Sequence, residues 1–205
     1  MRMRQRIAAL LIVAALPLAA TPVAAQGILP FTLGGRMGLA IPVDDFAAHA
    51  ETGYVTEVLL KASPLPFATL YGGWSFAEFG VDSESAIAGL DTKVRDSGFR
   101  AGGELSVPLA GLLSGVSPYL QVGAIFNRAQ VRVRGDGTNT LGVKSDRSTG
   151  MEVGVGTRVM LVHRLSIVPE LRYRSYDPEF AQEPEVQIGD RLSYLALTLA
   201  LTFHF

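Results

Sequence analysis

The last residues of the chain alternate between apolar and small or polar side chains. Leucine or phenylalanine occupies every second position from Leu195 to Phe205, and alanine, threonine and histidine stand between them. Because successive side chains of a β-strand point to opposite faces, this period of two predicts a strand with one apolar face.

The same alternation recurs in seven further segments, so the pattern predicts eight strands in all. Five of these segments are regular, and they cover residues 31–41, 54–61, 99–107, 150–161 and 165–174. Each contains charged residues or glycines on one face and larger apolar residues on the other. This arrangement is typical of a sheet whose two faces contact different environments.

The segment from Phe67 to Phe79 is less regular, because both of its faces are apolar or glycine. It still has the length and the aromatic content of a strand. We predict Leu70, Trp74 and Phe76 on its outer face.

The segment that starts at Pro118 changes phase part-way along. Its outer apolar positions continue to Phe126, but the next apolar pair, Val131 and Val133, falls on the other parity. A change of phase predicts a β-bulge near residues 127–130 or an irregular extension above the membrane.

The joins between the predicted strands alternate in length. The joins at residues 63–66 and 162–164 are tight, and the one at residues 108–117 is intermediate. The longer polar joins lie near residues 42–52, 80–97, 134–148 and 175–190. Short turns on one side and long loops on the other are typical of a transmembrane barrel. A ten-stranded barrel is the alternative if one of the two middle loops contains an extra hairpin.

Residues 105–127 carry no Asp, Glu, Lys or Arg and are long enough to compete as a membrane-spanning helix. Pro108 and Pro118 interrupt this stretch, and its three glycines weaken a helix further. We therefore predict a strand, a turn and a second strand here.

The charged residues lie on the strand face opposite the large apolar side chains. In a membrane barrel the apolar face contacts lipid and the charged face lines the lumen. Tilted strands of about ten residues are long enough to cross a bilayer. Glycines on the charged face leave room in a narrow lumen, and aromatic residues near the strand ends are typical of the girdles at the two membrane interfaces. Backbone groups in lipid must all be hydrogen-bonded, so the sheet has to close. The predicted fold is all-β, a closed antiparallel transmembrane β-barrel of eight strands.

This arrangement predicts a luminal charge network, with Lys61 also on the same face. Its members are Arg36, Glu57, Arg100, Glu104, Glu152, Arg158, Glu170, Arg172 and Arg174. An unpaired charge in a confined lumen is costly, so we expect these acids and bases to pair and fill the barrel. The alternative is that they line a conducting pore.

Residues 1–25 have the features of a cleaved signal peptide. Arg2, Arg4 and Arg6 precede an apolar run, and small residues at positions 23–25 supply a cleavage site before Gln26. We expect residues 26–205 to form a single barrel domain.

Composition narrows the function classes further. The chain has no cysteine, which excludes disulfides and thiolate metal sites. Outside the signal segment the chain has 15 basic and 19 acidic residues, and no basic tract. We therefore expect no nucleic-acid partner.

The C-terminal Thr202–Phe205 segment, with a final phenylalanine after alternating apolar residues, resembles the sorting signal of Gram-negative outer-membrane barrels. From about residue 31 onward the chain resembles the small barrels of the OmpA/OmpX type and their opacity-like and porin-like relatives. The resemblance implies a location in the outer membrane and contact with its lipids and lipopolysaccharide. It also implies a monomer and recognition of Phe203 and Phe205 by the barrel-assembly machinery.

Catalytic chemistry has little support in the sequence. The three histidines, His49, His163 and His204, stand in no Gly-x-Ser-x-Gly context, although Ser166 follows three residues after His163. We predict no catalytic, cofactor or metal site. The first hypothesis is a non-enzymatic envelope protein with surface-exposed loops. A small porin-like channel is the alternative, followed by an enzyme that modifies lipid A or phospholipids.

Overall fold

The computed structural model describes residues 29–81, 91–106, 115–134, 140–180 and 190–205, so the predicted signal segment 1–25 lies outside the described residues. Nine strands and one short 3₁₀-helix, Asp44–Ala48, make up the regular structure of this part. Within it, no helix is long and apolar enough to cross a membrane. The strands are β1 (Phe31–Pro42), β2 (Gly53–Leu65), β3 (Ala68–Gly80), β4 (Asp91–Ser106), β5 (Val116–Arg134), β6 (Thr140–Lys144), β7 (Ser148–Val162), β8 (Leu165–Tyr176) and β9 (Leu192–His204).

Eight antiparallel strands close into a barrel in the order β1-β2-β3-β4-β5-β7-β8-β9. The last strand pairs with the first, from Thr32 opposite His204 to Pro42 opposite Tyr194, which leaves the barrel without a free edge. Tight turns join β2 to β3 and β7 to β8, where Leu65 and Val162 end their strands. The prediction of a closed eight-stranded barrel is confirmed.

The short strand β6 extends the wall and does not add a hairpin to the barrel. It pairs with the C-terminal end of β5, at the end of the barrel that carries the long loops, from Gln130 opposite Lys144 to Arg134 opposite Thr140. The main ladder between β5 and β7 begins at Asn127 opposite Ser148. The partner of β5 therefore carries one extra residue at this level, which is the count of a β-bulge.

The predictions of a bulge in β5 near residues 127–130 and of an irregular extension are both wrong: the strand extends above the apolar band, but it is regular, and the extra residue lies in its partner. β5 pairs with β4 without interruption from Tyr119 to Arg134, and Val131 faces inward on the same side as Tyr119. The apolar positions of β5 switch from the outer to the inner face because the surroundings of the strand change along the barrel axis. Above the apolar band the interior is filled by apolar residues and the outer surface carries basic ones, so the pattern inverts while the strand stays regular.

The predicted loop at residues 80–97 is too long. β4 begins at Asp91 and pairs along its whole length with β5. Thr92, Val94 and Asp96 alternate inward and are buried, while Lys93 and Arg95 between them point outward. Charged residues on both faces concealed this part of the strand from an analysis based on apolar periodicity.

The two faces of the wall differ as expected for a barrel in lipid. Leu195 to Phe205 keep their large side chains outward, and Leu70, Trp74 and Phe76 also lie on the outer face. The interior changes along the barrel axis. An apolar layer lies at the end of the long loops, charged residues fill the middle, and small polar residues lie near the tight turns.

Candidate functional site

The nine predicted luminal residues lie at inward-facing strand positions. Eight of them are buried, and the side chain of Arg158 is 21% exposed. Seven meet in one cluster at mid-height, which we call the central network. Its members are Arg36 on β1, Glu57 on β2, Arg100 on β4, Glu152 on β7, and Glu170, Arg172 and Arg174 on β8. Glu104 and Arg158 lie in a second cluster.

Glu57 is the hub of the central network, because four guanidinium groups surround its carboxylate. Arg36 Nη1 lies 3.1 Å from Oε2, and Arg172 Nη1 lies 2.9 Å from Oε1. Arg100 and Arg174 each place a terminal nitrogen 2.5 Å from a Glu57 oxygen. Each of these side chains is at most 1% exposed.

Two further carboxylates separate the guanidinium groups from one another. Glu152 accepts a hydrogen bond from Arg100 Nε at 2.9 Å and one from Arg174 Nε at 3.0 Å. Glu170 accepts from Arg36 Nη2 at 2.9 Å and also contacts Arg172. Charge-assisted bonds of this kind offset part of the cost of burying the ions.

Two tyrosines of the lumen donate hydrogen bonds to these carboxylates. Tyr71 Oη donates to Glu152 Oε1 at 2.6 Å, and Tyr119 Oη donates to Glu170. The guanidinium of Arg100 also lies over the Tyr71 ring, 4.8 Å from its centre. Neither tyrosine belongs to the predicted luminal set, although each stands at an inward-facing position of its strand.

Asp96 is a buried acid within the predicted loop 80–97. Its carboxylate accepts hydrogen bonds from Asn127 Nδ2, Tyr176 Oη and Tyr194 Oη at 2.7 to 2.9 Å. Arg174 Nη1 donates to the same Tyr194 hydroxyl at 3.0 Å, which connects Asp96 to the central network. With Asp96 included, the four arginines of the cluster face four acids.

The second cluster lies closer to the tight turns and joins three residues. Lys61 Nζ forms a close ion pair with Glu104, and Arg158 Nη2 lies 3.3 Å from the other oxygen of that carboxylate. Lys61 and Glu104 are buried. Lys61 belongs to the luminal face but not to the predicted set, and the structure makes it the nearest partner of Glu104.

Glycines provide the space that these large side chains occupy. A Cβ atom on Gly102 would lie 2.4 Å from Tyr71 Oη, and one on Gly123 would lie 2.2 Å from it. A Cβ on Gly154 would lie 2.3 Å from Arg172 Cγ. All of these distances are far inside van der Waals contact, so the glycine face is a requirement of the network.

Several solved structures share this architecture. Neisserial surface protein A matches with a TM-score of 0.57 at 15% identity, over 85% of this chain and 97% of its own. The attachment invasion locus protein Ail of Yersinia pestis matches with a TM-score of 0.53 at 13% identity, over 87% of this chain and 100% of its own. A major outer membrane protein of Thermus thermophilus matches with a TM-score of 0.57 at 13% identity, over 87% of this chain and 100% of its own.

The fold is that of the small outer-membrane barrels. At this level of identity the likeness concerns the fold alone. No protein-family model matches the chain, and no curated protein matches it in sequence.

In this outer-membrane barrel fold, an apolar cap lies above the central network. The short 3₁₀-helix inserts Phe46 into the barrel mouth, where its ring packs edge-on against Phe79 at 5.0 Å. Phe79 in turn contacts the Tyr194 ring at 5.2 Å. All three residues are fully buried, so the cap covers the charged layer at the end with the long loops.

An acidic depression of about 440 Å³ lies outside the cap. It is lined by Asp44, Asp45, Asp177, Asp190 and Arg191. The Asp177 carboxylate accepts a hydrogen bond from Arg191 Nε at 2.8 Å and raises the pKa of that guanidinium. Among the residues described, no group of three or more acids and histidines is arranged to hold a metal ion.

A serine and a histidine meet at the opposite end of the lumen. Ser166 Oγ lies 2.7 Å from His204 Nε2, and Thr32 Oγ1 lies 3.1 Å from His204 Nδ1. A catalytic triad would hold Nδ1 with a carboxylate and expose the nucleophile. Here a threonine takes that position, and Ser166 is fully buried against Met160. The predicted neighbour His163 is in the exposed turn between β7 and β8.

The C-terminal residue continues the closing ladder. Phe205 N–H donates to the Phe31 carbonyl at 3.0 Å, and the rings of Phe203 and Phe205 pack edge-on at 5.1 Å. Both rings are exposed on the outer wall at the end with the tight turns. They form an aromatic edge there together with Phe31 and Phe67.

Proposed function

We propose that the chain is a non-enzymatic integral outer-membrane protein with a structural role in the envelope, and that its lumen is closed. The observation that carries the proposal is the central network with Asp96, in which four arginines and three glutamates are buried and ion-paired, and the buried Asp96 joins them through the Tyr194 hydroxyl. Such a network fills the lumen while its charges cancel.

The burial of the network supports closure over conduction. A pore would leave its charged side chains in contact with water, whereas those of the central network are at most 1% exposed. The apolar cap of Phe46, Phe79 and Tyr194 adds a second barrier above them. A small porin-like channel remains the alternative that a conductance measurement decides.

The outer surface supports a location in lipid. Leu33, Met37, Leu60, Leu120 and Leu199 are 47% to 69% exposed, and a soluble protein rarely exposes so large an apolar surface. Contact with outer-membrane lipids and lipopolysaccharide follows from this location, as does delivery by the barrel-assembly machinery through Phe203 and Phe205. A signal peptide over residues 1–25 would provide export, and the protein would act as a monomer.

The proposal is tested by reconstituting purified, folded protein into planar lipid bilayers. We expect no discrete conductance steps, while a conducting porin added to the same bilayer gives them. A variant carrying Glu170→Gly, Arg172→Gly and Phe46→Gly keeps the net charge, removes two large side chains from the lumen and opens the cap, so it should conduct. Regular steps from the wild-type protein would instead support the channel.

A further inference from the structure

A cluster of basic side chains covers one part of the outer wall above the apolar band. These residues lie on the outward face of their strands or in the adjacent turn, and they alternate with buried residues such as Val94, Asn127 and Val131. We call this cluster the basic patch. It consists of Lys93 and Arg95 on β4, Arg128 and Arg132 on β5, Lys144 on β6, and Arg147 just before β7.

Among the described residues, the patch carries more positive than negative charge. Glu78 pairs with Lys93 at 3.2 Å and with Arg95 at 2.5 Å. In the described part of the chain, the other four cations form no ion pair, although Asp146 lies in the adjacent turn and Glu179 accepts a backbone hydrogen bond from it. The six cations of the patch therefore outnumber Glu78, Asp146 and Glu179.

Two of the cations are held directly against each other by the strand register. Lys93 lies opposite Arg132 in the ladder between β4 and β5. Like charges at directly opposed positions destabilise a sheet. Glu78 already pairs with Lys93, so an anion bound on the outer face of the two strands would mainly balance Arg132.

The patch borders the aromatic residues at the upper edge of the apolar band. The Arg147 guanidinium lies 5.4 Å from the centre of the Phe99 ring, and that of Arg95 lies 5.8 Å from the centre of the Phe76 ring. Phe99 and Phe126 are 53% and 43% exposed on the outer wall. The cations therefore adjoin the surface that would contact acyl chains.

The patch begins at the height of a lipid headgroup layer and extends above it. Arg128 follows Phe126 by two residues, and Arg95 lies four residues beyond Phe99 along β4. On strands tilted by about 40°, these separations correspond to a rise of about 5 to 10 Å. The polar headgroup region of one leaflet is about 5 to 7 Å thick.

We propose that the basic patch binds the phosphate groups of a phosphorylated glycolipid of the outer leaflet, of the lipid A class. The acyl chains would lie against the apolar wall below Phe99 and Phe126. This inference rests on the proposed outer-membrane location. A soluble polyanion would use the charges alone, whereas the patch and the apolar wall form one continuous amphipathic surface.

The test measures lipid binding to the purified, folded protein in detergent by native mass spectrometry. The probes are lipid A with two phosphates and the same lipid after enzymatic removal of both. The patch variant carries Arg128→Gln and Arg147→Gln, which among the described residues are the two unpaired cations nearest to Phe126 and Phe99. The matched control carries Arg164→Gln and Arg191→Gln, which removes two exposed arginines outside the patch and changes the net charge equally.

We expect wild type and control to retain diphosphorylated lipid A, and the patch variant to bind it about tenfold more weakly or worse. Higher salt should weaken the wild-type interaction. Equal binding of the dephosphorylated lipid, an equal loss in the control, or complete competition by a soluble sulfated glycan would overturn the proposal. Because binding is measured in detergent, a negative result would not affect the proposed location, which cell fractionation tests separately.

Discussion

Arg174 and Asp96 are linked through a single hydroxyl group. Arg174 Nη1 donates to Tyr194 Oη at 3.0 Å, and that hydroxyl donates to Asp96 Oδ2 at 2.9 Å. The acid balances the fourth arginine of the central network without touching it. The strands β4, β8 and β9 thus meet in the lumen through one tyrosine, at the boundary between the charged layer and the apolar cap.

This link predicts that Asp96→Asn destabilises the barrel. The substitution removes a buried negative charge that accepts several hydrogen bonds and leaves one arginine of the cluster unbalanced. Hydrogen bonds to a charged group contribute about 1.5 to 3 kcal/mol, so we expect a loss of about 2 kcal/mol in the free energy of unfolding. Urea titration in lipid vesicles measures it. Asp146→Asn on the exposed turn is the control and should change little.

Replacing the hub of the central network should have a larger effect. Glu57→Gln leaves four buried guanidinium groups around a neutral side chain, and breaking a buried pair in this way costs about 3 to 5 kcal/mol. Adding Arg172→Met removes one of the excess charges and should restore part of the stability. If the double variant were no more stable than Glu57→Gln alone, the charge balance would not be the cause. The same urea titration compares the two proteins.

The fold and most of the network could be predicted because successive side chains of a strand in the barrel point alternately to lipid and to the lumen. Glu57 and Arg100 are readable on that ground alone, since the opposite parity holds Val58 and Phe99. Asp96 could not be assigned in this way. It lies where both faces of β4 carry charge, beyond the level at which lipid imposes the pattern. The pairing of side chains was also out of reach, because it depends on which strands face each other across the lumen.

A glycine-to-alanine substitution should destabilise the barrel in the lumen but not on the outer face. A Cβ at residue 154 would lie 2.3 Å from Arg172 Cγ and 2.8 Å from the Leu171 carbonyl oxygen, whereas one at Gly35 would meet nothing within 4 Å. Gly154→Ala should therefore destabilise the barrel by about 1 to 3 kcal/mol. Gly35→Ala, on the outer face of β1, should be neutral or slightly stabilising. Comparable losses in both variants would show that the lumen is not tightly packed.

The terminal aromatic pair predicts a defect in assembly. Phe205 adds one hydrogen bond to the ladder that closes the barrel, and its ring is 72% exposed on the outer wall. Removing it costs little packing, so a folded protein should survive in vitro. In a Gram-negative host, deletion of Phe205 should lower the amount of heat-modifiable protein in the outer-membrane fraction several-fold. Phe67→Ala removes an aromatic ring that is 52% exposed at the same end of the barrel but leaves the terminus intact. An equal loss from that control would mean that the aromatic edge, and not the C-terminal signal, governs delivery.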